Sequence, residues 1–142
     1  MEFERLTDKN FPEVIQLWED SVRFSHDFLK EEDISLMKPL LINTFLQSLN
    51  LVGLYTDRLI GFYGTRSSKL EMLYVLPDFI GKGYGKALLQ HARDFEKIDA
   101  VEVNEQNISA LEFYKHQGFR IVKKVEQDHW GLGYPLVHMV FD

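Results

Sequence analysis

The sequence contains no cysteine, which excludes disulfide bonds, thiolate metal sites and a cysteine nucleophile together. It also lacks any run of about 18 apolar residues, the length that a membrane-spanning helix needs. Its first ten residues carry acidic side chains and no apolar stretch behind a basic patch, so a signal peptide is not expected. From these absences we expect a soluble protein of the cytoplasm that has no membrane partner.

A basic surplus is missing as well. The 142 residues include 16 Lys and Arg against 22 Asp and Glu, a net charge of −6, which argues against a nucleic-acid partner. No repeat and no Pro/Gly/Ser-rich linker divides the chain, and 45% of its residues are hydrophobic. The sequence therefore predicts one domain over residues 1–142 with a sizeable core.

The apolar pattern alternates between helical and strand periods along the chain. It predicts a mixed α/β fold whose central, mostly antiparallel sheet is flanked by helices in the order β-α-α-β-β-β-α-β-α-β-β. Pro39 should interrupt the second helix because proline has no N–H to donate. The predicted elements are residues 2–6, 11–22, 34–49, 51–56, 59–65, 69–75, 88–95, 100–103, 109–118, 119–125 and 136–141.

Some local features can also be predicted. The strand over residues 69–75 is almost continuously apolar, with Glu71 as its one interior polar residue, which is typical of a central strand. The interruption of the alternation at Met72–Leu73 is compatible with a bulge that separates two strands there. Ser109 followed by Glu112 predicts a capping box at the start of a helix. One face of the preceding helix is predicted to bury Leu88, Leu89, Ala92 and Phe95.

A glycine-rich loop precedes that helix, with Gly81, Gly83 and Gly85 at alternate positions and Lys82 and Lys86 between and after them. Bare amides at a helix N-terminus form a cradle for a phosphate-bearing ligand, and the two lysines add positive charge. The loop is not a Walker loop, since the residue after its second lysine is alanine rather than Ser or Thr. It is also not a Rossmann fingerprint, since it lies in mid-chain with the spacing Gly-x-Gly-x-Gly.

These residues resemble a known family, the GCN5-related N-acetyltransferases, or GNAT proteins. Their acyl-coenzyme A loop, Gln/Arg-x-x-Gly-x-Gly/Ala, is similar to Ile80, Gly83 and Gly85, preceded by a Val-x-Pro such as Val75-Leu76-Pro77, although Ile80 replaces the usual polar residue. A second segment, residues 107–119 with the sequence NISALEFYKHQGF, resembles the family motif Asn-x-x-Ala-x-x-Phe-Tyr-x-x-x-Gly-Phe. The predicted order of elements also looks like the GNAT fold, so the resemblance covers nearly the whole chain.

The resemblance implies an enzyme that transfers an acetyl group from acetyl-CoA directly to a primary amine in a ternary complex, without a metal. The acceptor would be a small molecule or a protein, and the chain a monomer or a homodimer. An alternative from another class is a non-catalytic acyl-CoA sensor or partner-binding module. The resemblance implies that acetyl-CoA is bound by Leu73, Val75, Gly81, Lys82, Gly83, Tyr84, Gly85, Lys86, Asn107 and Tyr114; Asn107 could instead cap a turn.

An amine that attacks a thioester must lose a proton, and the departing thiolate must gain one. Glu102 is the first candidate for the base, because it points to the opposite strand face from Val101 and Val103 and because the resemblance to GNAT proteins that acetylate ribosomal proteins implies a base there. Glu71 is the second candidate, and either carboxylate could instead be salt-bridged. Tyr114 is the candidate acid that protonates the thiolate; as an alternative it is a core aromatic.

Substrate contacts are expected from two further segments that resemble small bacterial GNAT proteins. These segments contain His26 and Phe28 near the end of the first helix and Tyr134 before the last strand, and Glu102 is expected to contact the substrate as well. The histidines show no spacing typical of metal ligands, so no metal site is predicted. Acidic side chains near the cleft favour a positively charged acceptor amine.

Overall fold

The computed structural model describes residues 1–25 and 29–141. Its strands and helices follow the predicted order. The strands are β1 (Glu2–Arg5), β2 (Asn50–Tyr55), β3 (Leu59–Arg66), β4 (Lys69–Val75), β5 (Ala100–Asn104), β6 (Arg120–Val125) and β7 (Leu136–Val140), and the helices are α1 (Phe11–Ser25), α2 (Glu31–Leu40), α3 (Tyr84–Glu96) and α4 (Ile108–His116). No helix in the described ranges is long and apolar enough to cross a membrane.

The seven strands form one sheet in the order β1-β2-β3-β4-β5-β7-β6. All neighbouring pairs are antiparallel except β4 and β5, which are parallel and are connected through α3. The turn between β3 and β4 uses Ser67 and Ser68 with φ angles of 52° and 63°, as tight hairpins between twisted strands require. The predicted mixed, mostly antiparallel sheet flanked by helices is confirmed.

The sheet opens between β4 and β5. Their ladder consists of Lys69 opposite Ala100 and Leu70 opposite Val101, after which the two strands diverge. On the other edge of β4, the register with β3 shifts so that Glu71 is the extra residue of a bulge. The predicted bulge therefore exists, one residue before Met72. The bulge and the divergence together open a gap in the middle of the sheet.

The helices pack one apolar face against this sheet. α1 buries Val14, Leu17, Trp18 and Val22, and α3 buries Leu88, Leu89 and Ala92. The prediction that Phe95 joins the buried face of α3 is wrong, because this residue of the last helical turn is 69% exposed and stacks on His91 instead.

The end of α2 and the start of α4 were both predicted from the sequence. Pro39 lies inside α2, and the hydrogen bonding changes two residues later, where Leu41–Phe45 form a π-helical turn. The predicted interruption of this helix is confirmed. The predicted capping box at Ser109 is wrong, since the N-cap of α4 is Asn107, two residues earlier, whose side chain accepts a hydrogen bond from the Ala110 N–H at 3.2 Å.

Candidate functional site

A cavity of about 640 Å³ occupies the gap where β4 and β5 diverge. β4 runs along it from Glu71 to Val75 and leads into the glycine loop, while α4 closes it from the other side. The three residues predicted to be catalytic, Glu71, Glu102 and Tyr114, all line this cavity. The fold thus brings the glycine loop, the two carboxylates and the tyrosine to one place.

The glycine loop presents open backbone to the cavity. Gly81 and Gly83 have φ angles of +80° and +89°, and no atom lies within 4 Å of the position that a Cβ would take. Gly83 caps α3, whose first N–H groups have no acceptor within the helix. Positive φ makes glycine the favoured residue at both positions, and the free amides form a site for an anion.

The other predicted ligand-binding residues divide into two groups. Leu73, Val75, Gly81, Gly83, Gly85, Lys86 and Asn107 line the cavity together with Ile80. Lys82 and Tyr84 instead lie against the Phe79 ring, at 5.6 Å and 5.9 Å respectively. The Val75 carbonyl accepts a hydrogen bond from Ser21 at 3.0 Å, which fixes α1 to the cavity edge of β4.

Tyr114 projects from α4 into the protein interior and is 7% exposed. Its ring packs against Phe113 and Phe119 at centroid distances of 5.1 and 5.8 Å. Burial raises the pKa of Tyr114 well above its ordinary value, so its hydroxyl stays protonated at neutral pH. The neutral hydroxyl can therefore donate a hydrogen bond inside the cavity.

Two buried carboxylates face the same cavity around one ammonium group. The side chains of Glu71 and Glu102 are 0% and 6% exposed, and Lys69 Nζ lies 3.0 Å from Glu71 Oε1 and 3.2 Å from Glu102 Oε2. Arg66 contacts the second oxygen of Glu71 at 3.0 Å. We call Arg66, Lys69, Glu71 and Glu102 the charged floor of the cavity. Both carboxylates are salt-bridged, as the alternative interpretation of the sequence expected.

Two histidines contact Glu102. His129 Nε2 lies 2.7 Å from Glu102 Oε1, and His138 Nε2 lies 2.7 Å from Glu102 Oε2. Burial alone would raise the pKa of Glu102, but the contact with His129 and the charge of Lys69 outweigh it and lower this pKa to about 2. The contact with Glu102 raises the pKa of His129. Glu102 is therefore ionised throughout the physiological range.

The cluster also bears on the predicted absence of a metal. Donor atoms of Glu71, Glu102 and His129 lie within 4.8 Å of one another, a grouping that the sequence spacing did not indicate. The Lys69 ammonium already sits between the two carboxylates and neutralises part of their charge. The absence of a metal at this cluster stays a prediction.

The expected substrate residues have different outcomes. His26 and Phe28 lie outside the described residues. Tyr134 is buried, and its hydroxyl donates to Asp33 and accepts from the Lys30 N–H at 3.2 Å, so it joins the segment before β7 to the start of α2. Contact between Tyr134 and a substrate stays a prediction.

Sequence reasoning missed the partners of Glu102. His138 lies directly opposite Glu102 in the β5–β7 ladder, and Lys69 opposite Ala100 on the other side. Neither neighbour could be found without the strand order. The one sequence feature that pointed to His138 was the alternation within β7, which places every second side chain, including that of His138, on one face of the sheet.

The constellation is that of a splayed sheet whose gap holds an open glycine loop beside a buried tyrosine and two buried carboxylates. A family model described as "Acetyltransferase (GNAT) domain" matches residues 48–121. The chain belongs to the GNAT acetyltransferase family, and the predictions of family, fold and enzyme class are confirmed.

Relatives cover nearly the whole chain. Peptidyl-lysine N-acetyltransferase YjaB of Salmonella typhimurium is 33% identical over 130 residues, covering 90% of this chain and 89% of the relative. Peptidyl-lysine N-acetyltransferase YiaC of Escherichia coli is 30% identical and covers 89% and 91% of the two chains.

Solved structures show the same fold. The solution structure of apo YjaB from Escherichia coli superposes with a TM-score of 0.88 at 28% identity, covering 99% of this chain and 96% of the other. The PaiA N-acetyltransferase of Thermoplasma acidophilum, crystallised with coenzyme A, superposes with a TM-score of 0.71 at 23% identity and covers 99% and 100%.

Proposed function

We propose that this enzyme transfers the acetyl group of acetyl-CoA directly to the side-chain amine of lysine in a peptide or protein. The observation that carries the proposal is the cavity of about 640 Å³, which joins the open glycine cradle to Tyr114 and the charged floor. The names of the relatives at 33% and 30% identity support lysine as the acceptor.

The residues present fit coenzyme A. Gly81 and Gly83 leave free space where side chains would stand, and the first amides of α3 would hold the phosphates there. Beyond Leu70 the cavity edge of β4 no longer pairs with β5, so backbone groups of Leu73 and Val75 would bind the pantetheine as a neighbouring strand does. Bound in this way, acetyl-CoA supplies an acetyl thioester.

The negative net charge of the chain suits a cationic acceptor. Four side chains contact the carboxylates Glu71 and Glu102: Arg66, Lys69, His129 and His138. Both carboxylates line the cavity. The two carboxylates of the charged floor are paired with two cations, so a lysine ammonium entering from solvent is attracted by the net charge of −6 of the chain. The amine must then lose a proton, since its ordinary pKa is about 10.4.

The proton balance assigns a role to Tyr114. The acceptor ammonium loses two protons and gains the acetyl group, while the C–N bond forms and the C–S bond breaks. One proton is released to solvent. Tyr114 gives its proton to the thiolate and regains one from the reacting nitrogen, so coenzyme A departs as a thiol.

Thiol release with a panel of acceptors tests the proposal. A peptide with one lysine and a blocked N-terminus should react, while the matched peptide with arginine in place of lysine should not. Tyr114→Phe should lower the rate by about 10²-fold or more, as loss of a general acid does. Tyr63→Phe is the control, because this buried tyrosine does not line the cavity and its hydroxyl is hydrogen-bonded to His91 at 2.7 Å. The rate of this variant should stay near that of the wild type.

Two outcomes would contradict the proposal. Background thiol release with every peptide, together with tight binding of coenzyme A, would point to the non-catalytic sensor. Equal rates for the wild type and Tyr114→Phe would remove the tyrosine from the mechanism.

A further inference from the structure

His129 lies at the cavity wall on the segment between β6 and β7. Its side chain is 36% exposed, and Nε2 is held 2.7 Å from Glu102 Oε1. The Phe45 ring packs beside it at a centroid distance of 5.4 Å, and Trp130 follows at 6.3 Å. The imidazole therefore has one nitrogen fixed by a carboxylate and reaches both the cavity and solvent.

Glu102 is poorly suited to accept the proton itself. Its carboxylate is 6% exposed and contacts one ammonium and two imidazoles, so it is stabilised in the ionised form, with a pKa of about 2. Protonation would break these contacts. Glu71 is equally enclosed, between Arg66 and Lys69. A proton acceptor with a pKa near the working pH transfers protons more effectively.

A histidine meets that requirement. Neutral imidazole has an ordinary pKa of about 6.5, and an adjoining carboxylate stabilises the imidazolium that forms. His129 contacts Glu102 through Nε2, which leaves Nδ1 on the other edge of the ring as the nitrogen that can accept a proton. The arrangement resembles the histidine–carboxylate pair of a Ser-His-Asp catalytic triad, in which Nδ1 contacts the carboxylate and Nε2 accepts the proton. In His129 the two ring nitrogens have the opposite roles.

His138 provides a direct comparison with His129, because both histidines contact Glu102. It contacts the second oxygen of Glu102 at the same 2.7 Å, but it lies within β7, and the described cavity wall includes His129 and not His138. The two histidines share one carboxylate and differ in access to the acceptor.

We propose that His129 Nδ1 takes the proton from the acceptor ammonium and passes it to solvent, with Glu102 as the residue that positions the ring. This rests on the proposed function. The proton leaves the acceptor nitrogen, converts neutral His129 to imidazolium beside ionised Glu102, and is released as the product departs. The titratable or charged groups around the ring are Arg66, Lys69, Glu71, Glu102, Asp128 and His138.

The test is the pH dependence of acetyl transfer to the single-lysine peptide. The wild type should show a rate that rises with pH as His129 loses its proton. His129→Gln should lower the rate by about 10²-fold or more and lose this ascending limb. Glu102→Gln should move the limb to lower pH, because removing the negative charge lowers the pKa of His129. His138→Gln, the matched control, should keep an ascending limb.

Two independent measurements accompany the kinetics. Calorimetry of coenzyme A binding shows that each variant is folded, and NMR titration of the His129 ring should show the same downward pKa shift in Glu102→Gln. An active wild type whose limb survives in His129→Gln overturns this inference alone. If the ascending limb disappears in Glu102→Gln instead of moving to lower pH, the carboxylate is the base, and this inference is overturned as well. A wild type that transfers nothing at any pH overturns the proposed function as well.

Discussion

Replacing Lys69 by methionine should destabilise the protein through the charged floor. The ammonium lies 3.0 Å from Glu71 and 3.2 Å from Glu102, and each contact is worth about 5 kcal/mol of gross attraction at an effective dielectric constant of about 20. Desolvation offsets most of this, and removing one partner of a buried pair costs about 3–5 kcal/mol. Arg66 and the histidines remain, so we expect a loss of about 2–3 kcal/mol for Lys69→Met.

The loss should depend on pH with a defined sign. The pKa of Glu102 is lowered to about 2, so its contribution is present above its ordinary pKa near 4.5 and is lost as the pH falls toward 2. A protonated carboxyl group needs no cation beside it. The stability difference between the wild type and Lys69→Met should therefore be largest near pH 7 and smaller near pH 3.

Urea unfolding at the two pH values measures this difference. Lys124→Met is the control, since Lys124 contacts Glu105 at 3.1 Å but both side chains are about 40% exposed, and a surface pair contributes at most about 1 kcal/mol. Equal losses for the two variants, or a loss for Lys69→Met that is the same at pH 3 and pH 7, would refute the account of the charged floor.

Two further predictions concern the cradle and the segment before β7. Gly83→Ala should lower the free energy of unfolding by about 1–2 kcal/mol because the φ angle is positive, and calorimetry should show weaker coenzyme A binding. Gly133→Ala, with φ of +86° in equally open space, should lower the free energy of unfolding similarly and leave coenzyme A binding unchanged. Tyr134→Phe should lower the free energy of unfolding by about 1–2 kcal/mol, because the Asp33 carboxylate loses a buried donor; an unchanged urea midpoint would contradict the observed hydrogen bond.

The sequence predicted most of the fold because its periodicity was strong and its turns were marked. β4 was predicted with the bounds Lys69–Val75 and β5 within one residue at its end, whereas α3 begins four residues before the predicted apolar face. Phe95 was misassigned because helical spacing alone does not show that the last turn of α3 leaves this ring outside the core.

The site could be predicted only in part. Motifs and strand alternation pointed to Glu71, Glu102 and Tyr114, and all three line the cavity. The charges around Glu102 come from β4, from β7 and from the segment before β7, elements that are separated along the chain. Their convergence depends on the strand order β4-β5-β7, which the local pattern does not encode.

Mass spectrometry of both protein and peptide after one reaction tests the central claim most directly. The wild-type enzyme is incubated with acetyl-CoA and the blocked single-lysine peptide. The account predicts one acetyl group on the lysine side chain of the peptide, formed only when enzyme and acetyl-CoA are both present, with no acetyl group retained on the enzyme. An unmodified peptide, under conditions in which coenzyme A binds, would contradict it.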